Sequence, residues 1–201
     1  MSNTVIEAVV ENCQADSERP WPVITETESK FIRLHQGISD EEIGAVMLTA
    51  CAYNRTEVTP SPSEALNNLV ASEDIVLPGG LRFSEDGAVK VIPGCCCGLE
   101  GWREWLGVPQ GNAAVWGGHD PCVWVEYVND KVRVWQDEEK ERANYIELEK
   151  ERMVDLLKRV EMDLDGFLAR LAKWVSYISP GLEQAVVKHF AQNMNIGIGR
   201  T

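Results

Sequence analysis

The chain reads as an α+β protein: an antiparallel sheet built from two hairpins, N-terminal helices ahead of it, and a long C-terminal helix plus a shorter one packed on one face. Three observations predict this. Capping sequences precede helically spaced apolar residues at 39–54 and 61–71, the period changes to alternation from Ile75, and an apolar stripe in steps of three and four fills 153–178. The 201 residues suit one domain, and 44% apolar with 25% charged side chains is ordinary globular composition, which excludes disordered and collagen-like classes. A single globular domain over 1–201 is expected, with an irregular or mobile arm at 14–30 around Arg19-Pro20-Trp21-Pro22 and a flexible tail at 195–201.

Ser39-Asp40-Glu41-Glu42 is a capping box: the Ser39 hydroxyl can accept from the Glu42 amide while the Glu42 carboxylate reaches back. Ile43, Val46, Met47 and Ala50 follow at helical spacing, so a helix is expected over residues 40–54. Ser61-Pro62-Ser63-Glu64 repeats the device with proline at the first helical position, predicting a shorter helix over 62–71. The first hairpin pairs Leu81–Phe83 with Ala88–Ile92 across Glu85-Asp86-Gly87; a three-residue loop, with Phe83 opposite Val89 and Leu81 opposite Val91, is expected.

In the second hairpin an Asn129-Asp130 turn puts Val125 opposite Val134 and Tyr127 opposite Val132 on a core face. The other face then carries Trp124 opposite Trp135, stacked at about 4.5–7 Å, and Glu126 opposite Arg133. A third strand near Tyr145–Leu148 follows the acidic loop Asp137–Glu141. Met153, Leu156, Leu157, Val160, Leu164, Leu168, Leu171, Val175 and Ile178 then mark the long helix, with Gly166 as a place for a bend, and a last helix is expected over 180–193.

The charge bounds function. Thirty-two acidic against 19 basic side chains give −13, so a phosphate backbone is repelled and nucleic-acid binding is not expected. Residues 1–110 hold 17 acids and 7 bases, placing most of the negative field there. The start of the chain has neither a basic opening nor an apolar run of signal-peptide length, and no stretch of about 18 apolar residues follows, so a cytoplasmic chain with no membrane association is expected. In that compartment the six cysteines stay reduced.

The most unusual segment is Pro93-Gly94-Cys95-Cys96-Cys97-Gly98-Leu99-Glu100, which leaves the first hairpin and enters a short helix bearing Trp102 and Trp105. The cysteines are expected as small buried hydrophobes beside glycines that leave no room for bulk. The alternative is zinc: in an extended run Cys95 and Cys97 share a face, and His119 with Cys122 completes a Cys3His set. A third reading makes Cys97 a reactive thiol, its pKa lowered at the helix start, with His119 as base beside Asp120. Paired carboxylates at Asp163/Asp165 and Glu138/Glu139 are expected to be solvated rather than catalytic. Phosphate-loop and dinucleotide patterns are absent, and no cofactor other than the alternative zinc is expected.

Seven tryptophans include Trp102, Trp105, Trp116, Trp124 and Trp135 crowded around the hairpins. They read mainly as a second core, and also as aromatic anchors which, with the acidic Asp40, Glu41 and Glu42, would grip a basic protein partner. The Pro93–Glu100 segment with Trp102 and Trp105, and Asp163-Leu164-Asp165-Gly166-Phe167-Leu168 with Trp174, resemble uncharacterised bacterial cytosolic proteins over residues 75–194. The acidic, motif-poor character is also similar to bacterial toxin-immunity proteins. That resemblance implies a non-enzymatic protein-binding module that occludes its partner, and it transfers no catalytic residue.

Overall fold

The computed structural model describes residues 3–13, 19–24, 29–112, 114–137 and 144–197. In chain order its elements are β1 (Thr4–Glu11), β2 (Phe31–Arg33), α1 (Asp40–Tyr53), α2 (Pro62–Val70), β3 (Gly79–Glu85), β4 (Ala88–Val91), a 3-10 helix (Leu99–Gln110), β5 (Val123–Val128), β6 (Lys131–Gln136), β7 (Asn144–Glu149), α3 (Lys150–Ile178) and α4 (Glu183–Asn193). The α+β class holds. Both expected hairpins form, but in separate antiparallel sheets, one ordered β2-β1-β3-β4 and the other β5-β6-β7. Two compact units divide the chain, Met1–Val9 with Gly79–Met162 and Val10–Pro78 with Asp163–Thr201, so the backbone passes between them within β1, between Pro78 and Gly79, and within α3.

In the unit containing residues 79–162, the second hairpin has the expected register throughout, from Trp124 opposite Trp135 to Val128 opposite Lys131. The two indoles stack at 5.3 Å with planes 7° apart, and Tyr145 of β7 extends the row at 4.5 Å from Trp135. Beside it Arg133 sits between carboxylates, 2.7 Å from Glu147 and 3.7 Å from Glu126. The same unit buries Phe83, Val91, Leu99, Trp102, Trp105, Val132, Val134 and Ile146.

The first hairpin departs from the expected register. Its turn is the two-residue Asp86-Gly87, both with positive φ (50° and 82°), which matches the strand twist without a third loop residue. Glu85 therefore faces Ala88 and Ser84 faces Val89, and a bulge at Lys90 then brings Phe83 opposite Val91. The bulge decides the burial, because Phe83 and Val91 are both fully inside while Val89 is 51% exposed.

The other unit is helical around α1, whose capping box is complete: Ser39 Oγ accepts from the Glu42 amide at 3.2 Å and Glu42 Oε2 accepts from the Ser39 amide at 2.9 Å. Residues 14–18 and 25–28 of the expected arm lie outside the described residues, as do 138–143, which include Glu138–Glu141 of the acidic loop, and 198–201 of the expected tail. The described part of the arm docks on α1. The Trp21 indole N–H donates to the Gly44 carbonyl at 2.9 Å, and its ring meets Trp174 edge-on at 5.3 Å. A Cβ at Gly44 would strike the Pro22 carbonyl oxygen, so glycine is what lets this segment lie on the helix.

Helix α3 runs without interruption from Lys150 to Ile178. Gly166 serves a close approach, since a Cβ there would stand 2.8 Å from that of Gln36, and Asp163 pairs with Arg33 at 2.7 Å. The last helix starts three residues later than expected because Gly181, at φ +97°, turns the chain before Glu183 can begin it. Strands β1 and β2 were not foreseen at all. Ile196, in the expected tail, is buried.

Trp21→Ala should cost about 3–5 kcal/mol, the range for truncating a buried aromatic side chain. Trp21→Phe should cost less, because the ring survives and only the bond to Gly44 is lost. Urea denaturation of both variants checks the order. A second prediction concerns His189 of α4, buried with no hydrogen-bond partner for Nε2. Desolvation lowers its pKa below 6.5, against a smaller opposing pull from Asp74. Above 6.5 the ring is neutral whether the chain is folded or not; as pH falls below it, the unfolded chain takes the proton first, and stability drops. His189→Leu should flatten this acid slope, read as the melting temperature between about pH 7.5 and 5.5.

Candidate metal centre

Two loops meet beyond the end of β4. The Gly94 amide donates to Gly117 O at 2.8 Å, the Cys95 amide to Asp120 O at 3.1 Å, and the His119 amide returns a bond to Cys95 O at 3.2 Å. This approach of backbone to backbone leaves no room for side chains. A Cβ on Gly94 would fall on the Pro121 carbonyl oxygen, while Gly118, at φ +96°, faces the Gly94 backbone directly. Gly94 and Gly118 thus act together, each leaving room for the other loop's backbone.

Cys96 has φ +61°, the left-handed region that residues with side chains seldom occupy. A left-handed residue breaks the alternation of an extended run, and Cys95 and Cys96 emerge on the solvent side with His119. One ligand atom of each lies within 4.8 Å of the other two, and all three residues are exposed. Trp116 borders the group. It is 51% exposed, its ring meets His119 edge-on at 4.7 Å, and its indole N–H donates to Cys96 O at 3.2 Å. The Trp116 amide in turn donates to Glu104 Oε2 at 3.1 Å, tying the second loop to the 3-10 helix.

Cys97 turns the other way. It is buried, and its thiol donates to Trp116 O at 3.4 Å. Burial, then the charges of Glu100 and Glu104, push its pKa up to about 11. The expected activation of Cys97 at a helix start is therefore reversed: desolvation and two carboxylates outweigh the weak dipole of a 3-10 turn. Cys122 is partly buried and, among the described residues, does not join the group. The side chains brought together are those of Cys95, Cys96 and His119, and Cys97 and Cys122 of the expected Cys95, Cys97, His119 and Cys122 set stand apart from them. Packing as a small hydrophobe describes Cys97; it does not describe Cys95 or Cys96. The Cys96 thiol is held above its ordinary pKa, first by a hydrogen bond with Cys95 and then by that neighbour's charge.

Several of the residues expected to bind a basic partner are engaged within the chain. Asp40 accepts from Arg170 at 2.6 Å, Glu42 caps α1, and Glu41 is exposed in the first turn. Trp102, Trp105 and Trp135 are buried, Trp124 is partly exposed against Trp135, and Trp116 belongs to the cysteine group.

Comparison with family models, curated proteins and solved structures finds no match to this chain. The geometry alone defines the class: an α+β protein presenting two adjacent thiols and an imidazole at its surface.

Two positions of the cysteine loop should differ in their response to substitution. Gly94→Ala, with its methyl aimed at Pro121 O, should cost about 1–3 kcal/mol through overpacking. Cys96→Gly removes a thiol but relieves the left-handed backbone, and should change stability by less than about 1 kcal/mol. Thermal melts of both variants check this, and a larger loss for Cys96→Gly than for Gly94→Ala would contradict the loop account.

Proposed function

We propose that the chain is a binding protein for a thiophilic transition-metal ion, zinc or monovalent copper, held by Cys95, Cys96 and His119. The observation that carries this reading is the convergence of two sulfur atoms and an imidazole nitrogen within 4.8 Å at the surface. Bond lengths of about 2.3 Å to sulfur and 2.0–2.1 Å to nitrogen require donors about 3.5–3.8 Å apart, which rotation of exposed side chains supplies without moving the backbone. Thiolates with one imidazole suit soft or borderline ions over magnesium or calcium, which take oxygen ligands. Three protein donors leave a fourth position open at solvent, as in sites that exchange a ligand rather than brace a fold.

A basic protein partner is the less supported reading, because Asp40 and Glu42 are engaged within the chain and three of the five tryptophans are buried.

Reduced full-length protein titrated with zinc against a chromophoric chelator should bind one equivalent. Cys95→Ser and His119→Ala should each weaken binding by at least about tenfold, the size of losing one good ligand bond. Chelation should leave the melting temperature of the apoprotein well defined, because both loops are already held by backbone hydrogen bonds. Absence of any equivalent, or binding unchanged in the Cys95→Ser/His119→Ala double variant, overturns the reading.

A further inference from the structure

We propose that Cys95 and Cys96 form a reversible disulfide with each other, made and broken by exchange with small disulfides of the glutathione class, and that its formation switches the metal site off. The second half rests on the proposed metal reading; the first does not. Both thiols are exposed and neighbouring, whereas Cys97 is withdrawn into the interior and engaged by Trp116 O, so the loop offers a pair of accessible thiols rather than three. The left-handed backbone at Cys96 is what puts the two sulfurs on one side. An extended Cys-Cys would point them apart.

The exchange balances in two steps. The thiolate of one cysteine attacks a sulfur of the small disulfide, forming a mixed disulfide and releasing one small thiolate. The neighbouring thiol then gives up its proton and attacks the protein sulfur of that mixed disulfide, closing the Cys95–Cys96 bond and releasing the second small thiolate. Two electrons pass to the small disulfide, which becomes two thiols, and the protein loses two hydrogens. Adjacency makes the second step intramolecular and fast, so the mixed disulfide is a passing species.

Adjacency also makes the bond easy to break. Neighbouring α-carbons stand about 3.8 Å apart across a trans peptide, below the 4.4–6.8 Å usual for disulfides. A bond strained in this way and exposed to solvent has a high reduction potential and belongs with labile, regulatory disulfides rather than structural ones. It closes when the small-thiol pool is oxidised and opens when that pool recovers. Closed, it removes both sulfur ligands and leaves His119 alone, which does not hold a thiophilic ion.

The test uses the full-length protein, fully reduced and kept metal-free by chelator, equilibrated across ratios of oxidised to reduced glutathione. Intact mass and peptide mapping should show loss of two hydrogens confined to the peptide containing Cys95 and Cys96, reversed by added reduced glutathione. Cys95→Ser and Cys96→Ser should each stop at a stable glutathione adduct. A lasting adduct in the wild type, a cross-link to Cys13 or Cys122, or resistance at every ratio overturns the disulfide. Zinc titration of the oxidised and reduced forms then reads the switch, with affinity expected to fall at least about a hundredfold on oxidation as two ligands are lost. Equal affinity in both forms overturns the switch. A reduced protein that binds no zinc yet forms the bond removes the metal reading and leaves the disulfide standing.

Discussion

Everything at the candidate site depends on one close approach of backbone to backbone, between Gly94-Cys95 and Gly117–Asp120. Three hydrogen bonds of 2.8–3.2 Å cross that contact, and glycines stand where any side chain would push the loops apart. Without it His119 has no fixed position relative to the cysteines, because it reaches them through a loop that belongs to no helix or strand. The contact also explains why an exposed group of two thiols and an imidazole is held in place. Its order comes from amides and carbonyls, which satisfy one another, and leaves the Cys95, Cys96 and His119 side chains exposed.

The sheets show how far periodicity alone carries. In the second hairpin, alternation and a two-residue Asn-Asp turn fix the register, and the stacked Trp124 and Trp135 follow from it. Cross-strand pairing is local in sequence, so the residues that set it are close together and legible. The first hairpin was legible as a hairpin and not in register, since the bulge at Lys90 is dictated by which residues must be buried rather than by the turn. Strand β1 escaped for a different reason. Thr4–Glu11 is a continuous run with six of eight residues apolar or β-branched, buried at five of its positions, and its strand partners lie far along the chain. Length and β-branching were the available signal, and neither says what the strand pairs with.

At the cysteines the sequence singled out the segment, and the structure brings Cys96 rather than Cys97 beside Cys95 and His119. Reading 95–97 as extended places Cys95 and Cys97 on one face, and only a backbone reversal at Cys96 exchanges Cys97 for Cys96. Nothing in the residue types announces that reversal, because cysteine is not a residue that prefers the left-handed region. Glycines on both sides of the triplet and a Gly-Gly pair before His119 were the legible part. Of these, Gly94 and Gly118 mark the place where two loops come close. The same geometry withdraws Cys97, whose raised pKa of about 11 keeps it out of exchange chemistry near neutral pH.

The acidity of the chain acts on this site through the long-range field rather than through a contact. A net charge of −13 raises the local concentration of cations and lowers that of anions, so a metal ion approaches faster than its bulk concentration suggests, and a glutathione-class disulfide, itself anionic, approaches more slowly. Under the proposals above, metal loading and disulfide exchange would compete for the same pair of sulfurs. A field of this sign therefore tilts the competition toward loading with metal, and leaves oxidation to conditions in which the small disulfide is abundant or the metal scarce. Salt weakens the preference, because screening acts on both encounters with opposite effect. If both proposals hold, the acidic composition of the chain favours the metal over the small disulfide in reaching Cys95 and Cys96.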